Sequence, residues 1–290
     1  MSTSQPLISI MMPVYNGIDT LALATNSLLK QTYPNWKCVI VNDGSSDGTK
    51  AFLDNLTDPR FVIVHFEKNL GRPIARQAAL DAAQGEYLAF LDADDFYHPE
   101  KLAEQVQILE QYTDVDLVSC GNACYNAAFN LETVRGCGNG IAKVYEYGHR
   151  LNCALRTSLV RLDLARKVPF NTKLKHAQDT DFMQRYLVGR KYISMPSVRY
   201  YYSEFVSVTG KKILKTYYYS LIHHSSLLKY AFWPNFKAML VTVGKASFTA
   251  VVLPFTDVNY FLKKRGRVPT TSENEDFNHV CKQLNIHGKV

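Results

Sequence analysis

Three acidic residues within four positions, Asp92-Ala93-Asp94-Asp95, close the apolar run 86–91. Carboxylates spaced this closely repel one another unless a cation neutralises them. Hard divalent ions such as Mg²⁺ or Mn²⁺ take one or two carboxylates and complete their shell with phosphate oxygens and water. A diphosphate leaving group needs that neutralisation, because negative charge builds on it as its bond breaks. The same residues would also suit a solvated loop ahead of the helix opened by Pro99. Two more polar clusters follow apolar runs: Pro13-Val14-Tyr15-Asn16-Gly17 after 7–12, and Asn42-Asp43-Gly44 after 36–41. Each alone is an ordinary turn, since Asn, Asp and Gly are common turn formers. Three strand ends converging on one edge of a sheet make a site.

Asp179 is a fourth candidate, following Lys175-His176-Ala177-Gln178 at the start of a helical pattern. An Asp there serves either as a helix N-cap or, with its pKa raised, as a general base on an acceptor hydroxyl. Asp181, four residues before Arg185, is expected to pair with it on the helix surface.

The elements that must position these groups alternate regularly. Apolar runs at 7–12, 36–41, 61–66, 86–91 and 115–120 read as strands. Amphipathic stretches around 21–28, 49–56, 73–83 and from Pro99 onward read as helices, Pro73 and Pro99 standing where a missing N–H costs little. Strand–helix alternation predicts an α/β fold with a doubly wound, mostly parallel sheet, whose ligands bind at the carboxyl ends of the strands. Beyond Gly121 the rhythm breaks, and Gly136, Gly138, Gly140 and Gly148 point to an irregular excursion. Regularity returns at 151–160, with a helix at 179–188 and strand-like runs at 192–195 and 198–206. Residues 211–253 are helical in pattern and rich in aromatics, and 270–276 are polar and expected to be loose.

The chain has 290 residues, 47% of them hydrophobic, enough to bury a core as one large α/β domain or as one domain plus a tail. Residues 1–17 lack the basic n-region and apolar h-region of a secretory signal. The six cysteines show neither a CxxC pair nor zinc spacing, so reduced structural thiols and the cytosol are expected. Of the net charge of +7, the stretch 211–267 carries +9 (ten basic residues against Asp257) and the remainder −2. The basicity therefore describes a partner of the C-terminal part. No nucleic-acid-binding motif accompanies it, and no nucleic acid is expected. The apolar run 238–254 falls short of the ~20 residues a spanning helix needs and Lys245 interrupts it, so no transmembrane helix is expected. Basic and aromatic residues flanking helices fit either an interfacial membrane segment or helices packed on the catalytic domain with lysines in solvent.

The strings Ile10-Met11-Met12-Pro13-Val14-Tyr15-Asn16-Gly17, Val41-Asn42-Asp43-Gly44-Ser45-Ser46-Asp47-Gly48-Thr49, Asn69-x-Gly71 with Ala75-Arg76, and Leu91-Asp92-Ala93-Asp94-Asp95 closely resemble, in order and spacing, glycosyltransferase family 2. The likeness spans roughly residues 7–210 and is strongest over the first 120. It implies a GT-A fold, with residues 1–210 catalytic (1–120 the nucleotide-sugar half, 121–210 the acceptor half) and 211–290 a helical extension. It further implies an inverting transferase using Mg²⁺ or Mn²⁺ and a nucleotide-sugar donor, most simply a UDP-sugar. Asp43 would bind the base, framed by Pro13, Val14 and Tyr15. Arg72 and Arg76 would approach the base or diphosphate, Asp92 with Ala93 the ribose and sugar side, and Asp94 and Asp95 the metal. Asp179 would be the catalytic base. Gln178 stands where the family usually has Glu, Gln77-Ala78-Ala79 where it has Asn-x-Gly, and the histidine often found near 202–207 is absent, although Ser207 matches the serine that follows it.

A basic tail beside such a site points to a glycan or polyprenyl-diphosphate-linked acceptor, and to peripheral contact of 211–267 with the cytosolic face of a membrane. Two other readings compete. A sugar nucleotidyltransferase would want a glycine-rich loop with Arg and Lys near the N-terminus, whereas 7–17 hold only Gly17 and no basic residue. A non-catalytic module on a degenerate fold would lack the carboxylates, yet Asp92, Asp94 and Asp95 all stand; Gln178 is the feature that favours it.

Overall fold

The computed structural model describes residues 5–147, 149, 151–174 and 177–286; Gly148, Lys175, His176 and the side chain of Ser207 lie outside them. The first half follows the expected alternation: β1 (Ile8–Val14), α1 (Ile18–Leu29), β2 (Trp36–Asn42), α2 (Thr49–Asp54), β3 (Phe61–His65), α3 (Arg72–Ala82), β4 (Tyr87–Phe90), β5 (Phe96–Tyr97) and α4 (Lys101–Gln111). β6 (Leu117–Tyr125), β7 (Leu131–Arg135), β8 (Ala142–Val144), a single 3₁₀ turn at Leu155–Thr157, β9 (Ser158–Arg161), α5 (Leu162–Ala165), α6 (Gln178–Leu187) and β10 (Lys191–Tyr202) follow. α7 (Glu204–Ser207), α8 (Gly210–Leu227), α9 (Phe232–Val252), α10 (Val258–Lys263) and α11 (Thr271–Gln283) complete the chain.

The strands form one sheet in the order β3-β2-β1-β4-β9-β6-β10-β5, with β7 on β6 and β8 on β10. β3, β2, β1 and β4 run parallel, as do β6 and β10, while β9 is antiparallel to both β4 and β6. Strand alternation sends Ile8, Ile10 and Met12 to the face covered by α1 and α4. Met11, Val39, Val41, Leu88 and Phe90 meet α3 and α6 on the other. Helices on both faces leave the strand ends as the open edge.

Four sequence expectations change. The excursion after Gly121 carries the end of β6 and two short flanking strands, β7 on β6 and β8 on β10; β6 is buried along its whole length and β8 exposed along its whole length, so neither shows alternation. The runs at 192–195 and 198–206 are one strand, bent by register shifts between Ser194 and Tyr200 where Pro196 offers no N–H, and it ends at Tyr202. Residues 270–276 are not loose. Thr270 and Glu273 form a capping box that starts α11, and Phe277 then packs against Phe96 and Tyr201 at ring-centroid distances of 6.2 and 4.9 Å. Finally, the apolar C-terminal run is longer than its sequence limits imply. The segment Phe232–Phe255 is 24 residues and contains an 18-residue stretch of mean hydropathy 1.6, long and apolar enough to cross a membrane by length and composition alone.

Lys101 is fully buried beneath this sheet, its Nζ 2.7 Å from Gln105 Oε1 and 4.2 Å from the centroid of the Tyr97 ring. Burial pulls its pKa down to about 8. The unfolded chain, with Lys near its ordinary value, binds more protons between about pH 8 and 10.5, so stability contributed here rises across that window. Denaturant titrations should show wild type gaining on the order of 3 kcal/mol relative to Lys101→Met from pH 8 to 10.5. Parallel pH profiles for the two proteins would exclude this.

Candidate active site

The loop after β1 is built by the loop after β2. Asn16, left-handed at φ 51°, receives the Ser46 N–H on Oδ1 at 2.9 Å and donates its own N–H to Ser45 Oγ at 2.9 Å. Gly17 N–H reaches Thr49 Oγ1 at 2.9 Å, and Ile18 N–H reaches Asp47 Oδ2 at 3.2 Å. The hydroxyls and carboxylate of residues 45–49 thus latch the 13–17 backbone in place. Asp43 plays a similar part toward the next loop: its two oxygens accept the N–H groups of Leu70 (2.7 Å) and Gly71 (2.9 Å). Gly44 has φ +67°, and a Cβ there would lie 2.3 Å from the carbonyl carbon of Lys68, so only glycine lets the loop 68–71 approach. That loop enters α3 with Arg72 at its first position.

From α3, Arg76 Nη2 contacts Asp92 Oδ1 at 3.2 Å, both side chains being largely buried. Burial works to raise the Asp92 pKa, but Arg76, Arg72 and Arg156 outweigh it and hold the carboxyl below its usual range. Asp94 behaves oppositely: burial and the charge of Asp92 push it up. The Arg72 guanidinium is held further toward its charged form by Asp92, with Asp94 and Asp179 adding to the effect.

Asp95 is fully buried and faces inward. Its oxygens accept from Tyr200 Oη at 2.7 Å and from the Ser203 N–H at 3.0 Å. Burial, Asp94 and Asp92 together raise its pKa well above the usual carboxylate value. Tyr200 Oη also accepts the Asp92 N–H at 3.3 Å, so the end of β10 pins the acidic turn.

A cavity of about 660 Å³ opens over this edge. Pro13, Val14, Tyr15, Arg72, Asp92, Ala93 and Asp94 line it, together with Tyr125, Phe129 and Ser203, whose Oγ lies 3.4 Å from Asp94 Oδ2. Asp43, Arg76, Asp95 and Asp179 support or flank the cavity but do not line it. Asp179 sits in the first turn of α6, with Oδ1 2.9 Å from the N–H of Thr180. The N-cap is Ala177, left-handed at φ 57°, and no side chain caps the helix, so Asp179 is not a cap. Asp181 and Arg185 form the expected pair, Oδ2 to Nη2 at 2.6 Å.

Sequence reasoning passed over Tyr200, Ser203 and Arg156. The run Tyr200-Tyr201-Tyr202-Ser203 at a strand end was a signal for the first two. Arg156, from the 3₁₀ turn, stacks its guanidinium 4.1 Å over the Tyr202 ring, and its buried Nε has no hydrogen-bond partner. Arg76 Nη1 and Gln178 Oε1 are likewise buried without partners.

Among the described residues no three His, Cys, Asp or Glu side chains gather into a closed metal-ligand set. An open pair suits Mg²⁺ or Mn²⁺ bound jointly with a donor, since such ions use one or two carboxylates and take phosphate oxygens and water for the rest. Asp94, on the cavity wall and raised by its like-charged neighbour, is the carboxylate a cation would relieve. The residues therefore fit a divalent ion.

The sequence model of glycosyl transferase family 2 matches residues 9–165. The glycosyltransferase TuaG of Bacillus subtilis, whose name places it in teichuronic acid biosynthesis, is 40% identical over 111 residues, 38% of this chain and 44% of TuaG. The Escherichia coli UDP-Glc:α-D-GlcNAc-diphosphoundecaprenol β-1,3-glucosyltransferase WfgD is 39% identical over 103 residues, 36% of this chain and 41% of WfgD. The matched stretch thus spans less than half of either relative. Among solved structures, S. aureus TarS 1–349 with UDP superposes with a TM-score of 0.60 at 21% identity, covering 77% of this chain and 65% of that one. The mannosyltransferase PcManGT of Pyrobaculum calidifontis, in complex with GDP-Man and Mn²⁺, does so with 0.61 at 15% identity, covering 98% and 88%. These likenesses show the fold, which is of the GT-A type with a helical C-terminal region.

Proposed function

Because the chain belongs to glycosyl transferase family 2, we propose that it is an inverting glycosyltransferase acting in surface polysaccharide or lipid-linked glycan assembly. The donor is a nucleotide diphosphate sugar, most simply a UDP-sugar, and the acceptor a hydroxyl of a glycan or of a polyprenyl-diphosphate-linked sugar. The names of relatives support this choice, since WfgD couples a UDP-sugar to a diphosphoundecaprenol acceptor. The observation that carries the reading is the cavity at the ends of β1 and β4, which Asp92, Asp94 and Arg72 line together. Residues 1–210 are assigned to catalysis, 1–120 to the donor and 121–210 to the acceptor, with 211–290 as an extension whose last helix returns to the sheet. The enzyme works at the cytosolic face of a membrane, in peripheral contact through 211–267.

In this reading Pro13, Val14 and Tyr15 frame the base. Asp43 holds the 70–71 backbone that presents Arg72, and reaches the base only through lone pairs left free by Leu70 and Gly71. Arg72 and Arg76 balance the diphosphate, and Asp92 with Ala93 lies at the ribose and sugar side. Asp94 holds a divalent ion when one is bound, which would neutralise charge on the departing diphosphate. Asp95 is reassigned from the ion to supporting the turn, since it is fully buried off the cavity and both its oxygens are engaged. Asp179 takes the proton of the acceptor hydroxyl as that oxygen bonds to the anomeric carbon. The bond from that carbon to the diphosphate oxygen breaks on the opposite side, its electron pair leaving with the diphosphate, so configuration inverts.

Incubation with UDP-, GDP-, CDP- and dTDP-sugars, Mn²⁺ and a diphosphate-lipid-linked acceptor tests this. One donor should release its nucleoside diphosphate and give a product of inverted anomeric configuration by NMR. Retained configuration, or no release from any donor, contradicts the proposal.

A further inference from the structure

α9 is amphipathic the wrong way round for a helix in water. Its buried residues are polar, Asn235, Thr242 and Thr249, spaced seven apart, so they lie along one stripe. Most of its exposed side chains are large and apolar: Trp233 is 74% exposed, Leu240 59%, Phe248 53% and Val251 68%. Only 11% of its most apolar 18-residue stretch is buried. The polar stripe faces α8, where Asn235 Oδ1 meets His224 Nδ1 at 3.0 Å and Asn235 Nδ2 donates to the Leu227 carbonyl at 3.3 Å. An apolar face this continuous marks a surface that is covered in use.

We propose that this outward face of α9 beds into the interface of an anionic lipid bilayer, the helix lying along the surface rather than crossing it. Charge selects lipid as the occupant. Lys237 and Lys245 stand exposed on α9 itself, Lys229 precedes it, and 211–267 carries +9. Lysines around an apolar face reach up to anionic headgroups while their stems stay in the apolar layer. A second copy of this chain on the same face would bring those like charges together. Crossing is disfavoured by Lys245 near the middle of the segment. α8 disfavours it too, packing along α9 with Lys211, Lys212, Lys215, His223 and His224.

The surface deepens the membrane contact of the preceding reading, and it rests on that reading only for which site it serves. The hairpin is fastened beside the helix carrying Asp179. His223 Nε2 meets Gln184 Oε1 of α6 at 2.9 Å, and Tyr230 stacks on Tyr147 with centroids 5.2 Å apart. Docking would hold the acceptor side of the site next to the headgroups, where a diphosphate-lipid would present its sugar.

The chain carries its own reporter, since it has two tryptophans and Trp36 is buried at 1% exposure. Vesicles of phosphatidylcholine with a quarter phosphatidylglycerol, added to the full chain without donor or acceptor, should blue-shift the Trp233 emission and sediment the protein. Pure phosphatidylcholine should bind it far less. Lys237→Gln/Lys245→Gln should weaken partition about thirtyfold, and Phe236→Ser with Leu240→Ser should weaken it about tenfold, with unchanged far-UV circular dichroism. Membrane-bound protein should be released by alkaline carbonate. No blue shift and no sedimentation would overturn the proposal. So would carbonate-resistant retention, which means a spanning helix, or a blue shift that follows protein concentration without vesicles, which means a second copy. Each outcome is independent of sugar transfer, so the catalytic reading stands or falls separately.

Discussion

Asp94→Ala should reduce metal-stimulated sugar transfer by about 10²–10³-fold, the loss typical of removing one group that stabilises charge in a transition state. It should also leave the protein at least as stable as wild type. Asp94 lies on the cavity wall, and burial together with Asp92 raises its pKa. A carboxyl raised on folding costs stability once pH exceeds its unfolded value, so at neutral pH its charge works against the fold and its removal relieves that cost. Transfer assays with Mn²⁺ and thermal unfolding, run on the same preparation, check both halves. An active variant would displace Asp94 from the ion, and an inactive but destabilised one would assign it to structure.

Asp179→Asn should lower kcat by about 10²–10⁴-fold, the usual contribution of a positioned general base, while leaving donor affinity nearly unchanged. Asp179 does not line the donor cavity, and its hydrogen bond with the Thr180 N–H can be made equally by an Asn oxygen. Because Ala177 and not Asp179 caps α6, helix stability should not fall. Single-turnover rates set against donor affinity separate the two effects. Near-normal turnover would assign the base elsewhere.

The acidic turn and the loops at 13–17 and 43–49 were legible because their chemistry is local: residue types that suit a ligand, placed where apolar strands stop. What they do to one another was less so. Asp95 reads in sequence as a metal carboxylate beside Asp94, and only the fold shows it claimed by Tyr200 and Ser203, more than a hundred residues away. Asp43 and Asp47 spend hydrogen bonds on neighbouring loops for the same reason. β8 and β9 hide because a three-residue exposed strand and a four-residue antiparallel insert carry too little period to detect. α9 begins six residues before its apolar run because Pro234 suits a first turn and Asn235 is satisfied by the end of α8. The inverted face of that helix could not be read from composition, since apolar residues inside and outside look alike in a sequence.

The central claim is that donor diphosphate and a divalent ion bind together against Asp92 and Asp94. Calorimetric titration of UDP into the full chain, with Mn²⁺ and then with excess EDTA, tests it most directly. Saturable binding with Mn²⁺ that EDTA abolishes is the expected result. Binding of equal strength in EDTA, or none of UDP, GDP, CDP or dTDP with the metal present, would contradict it.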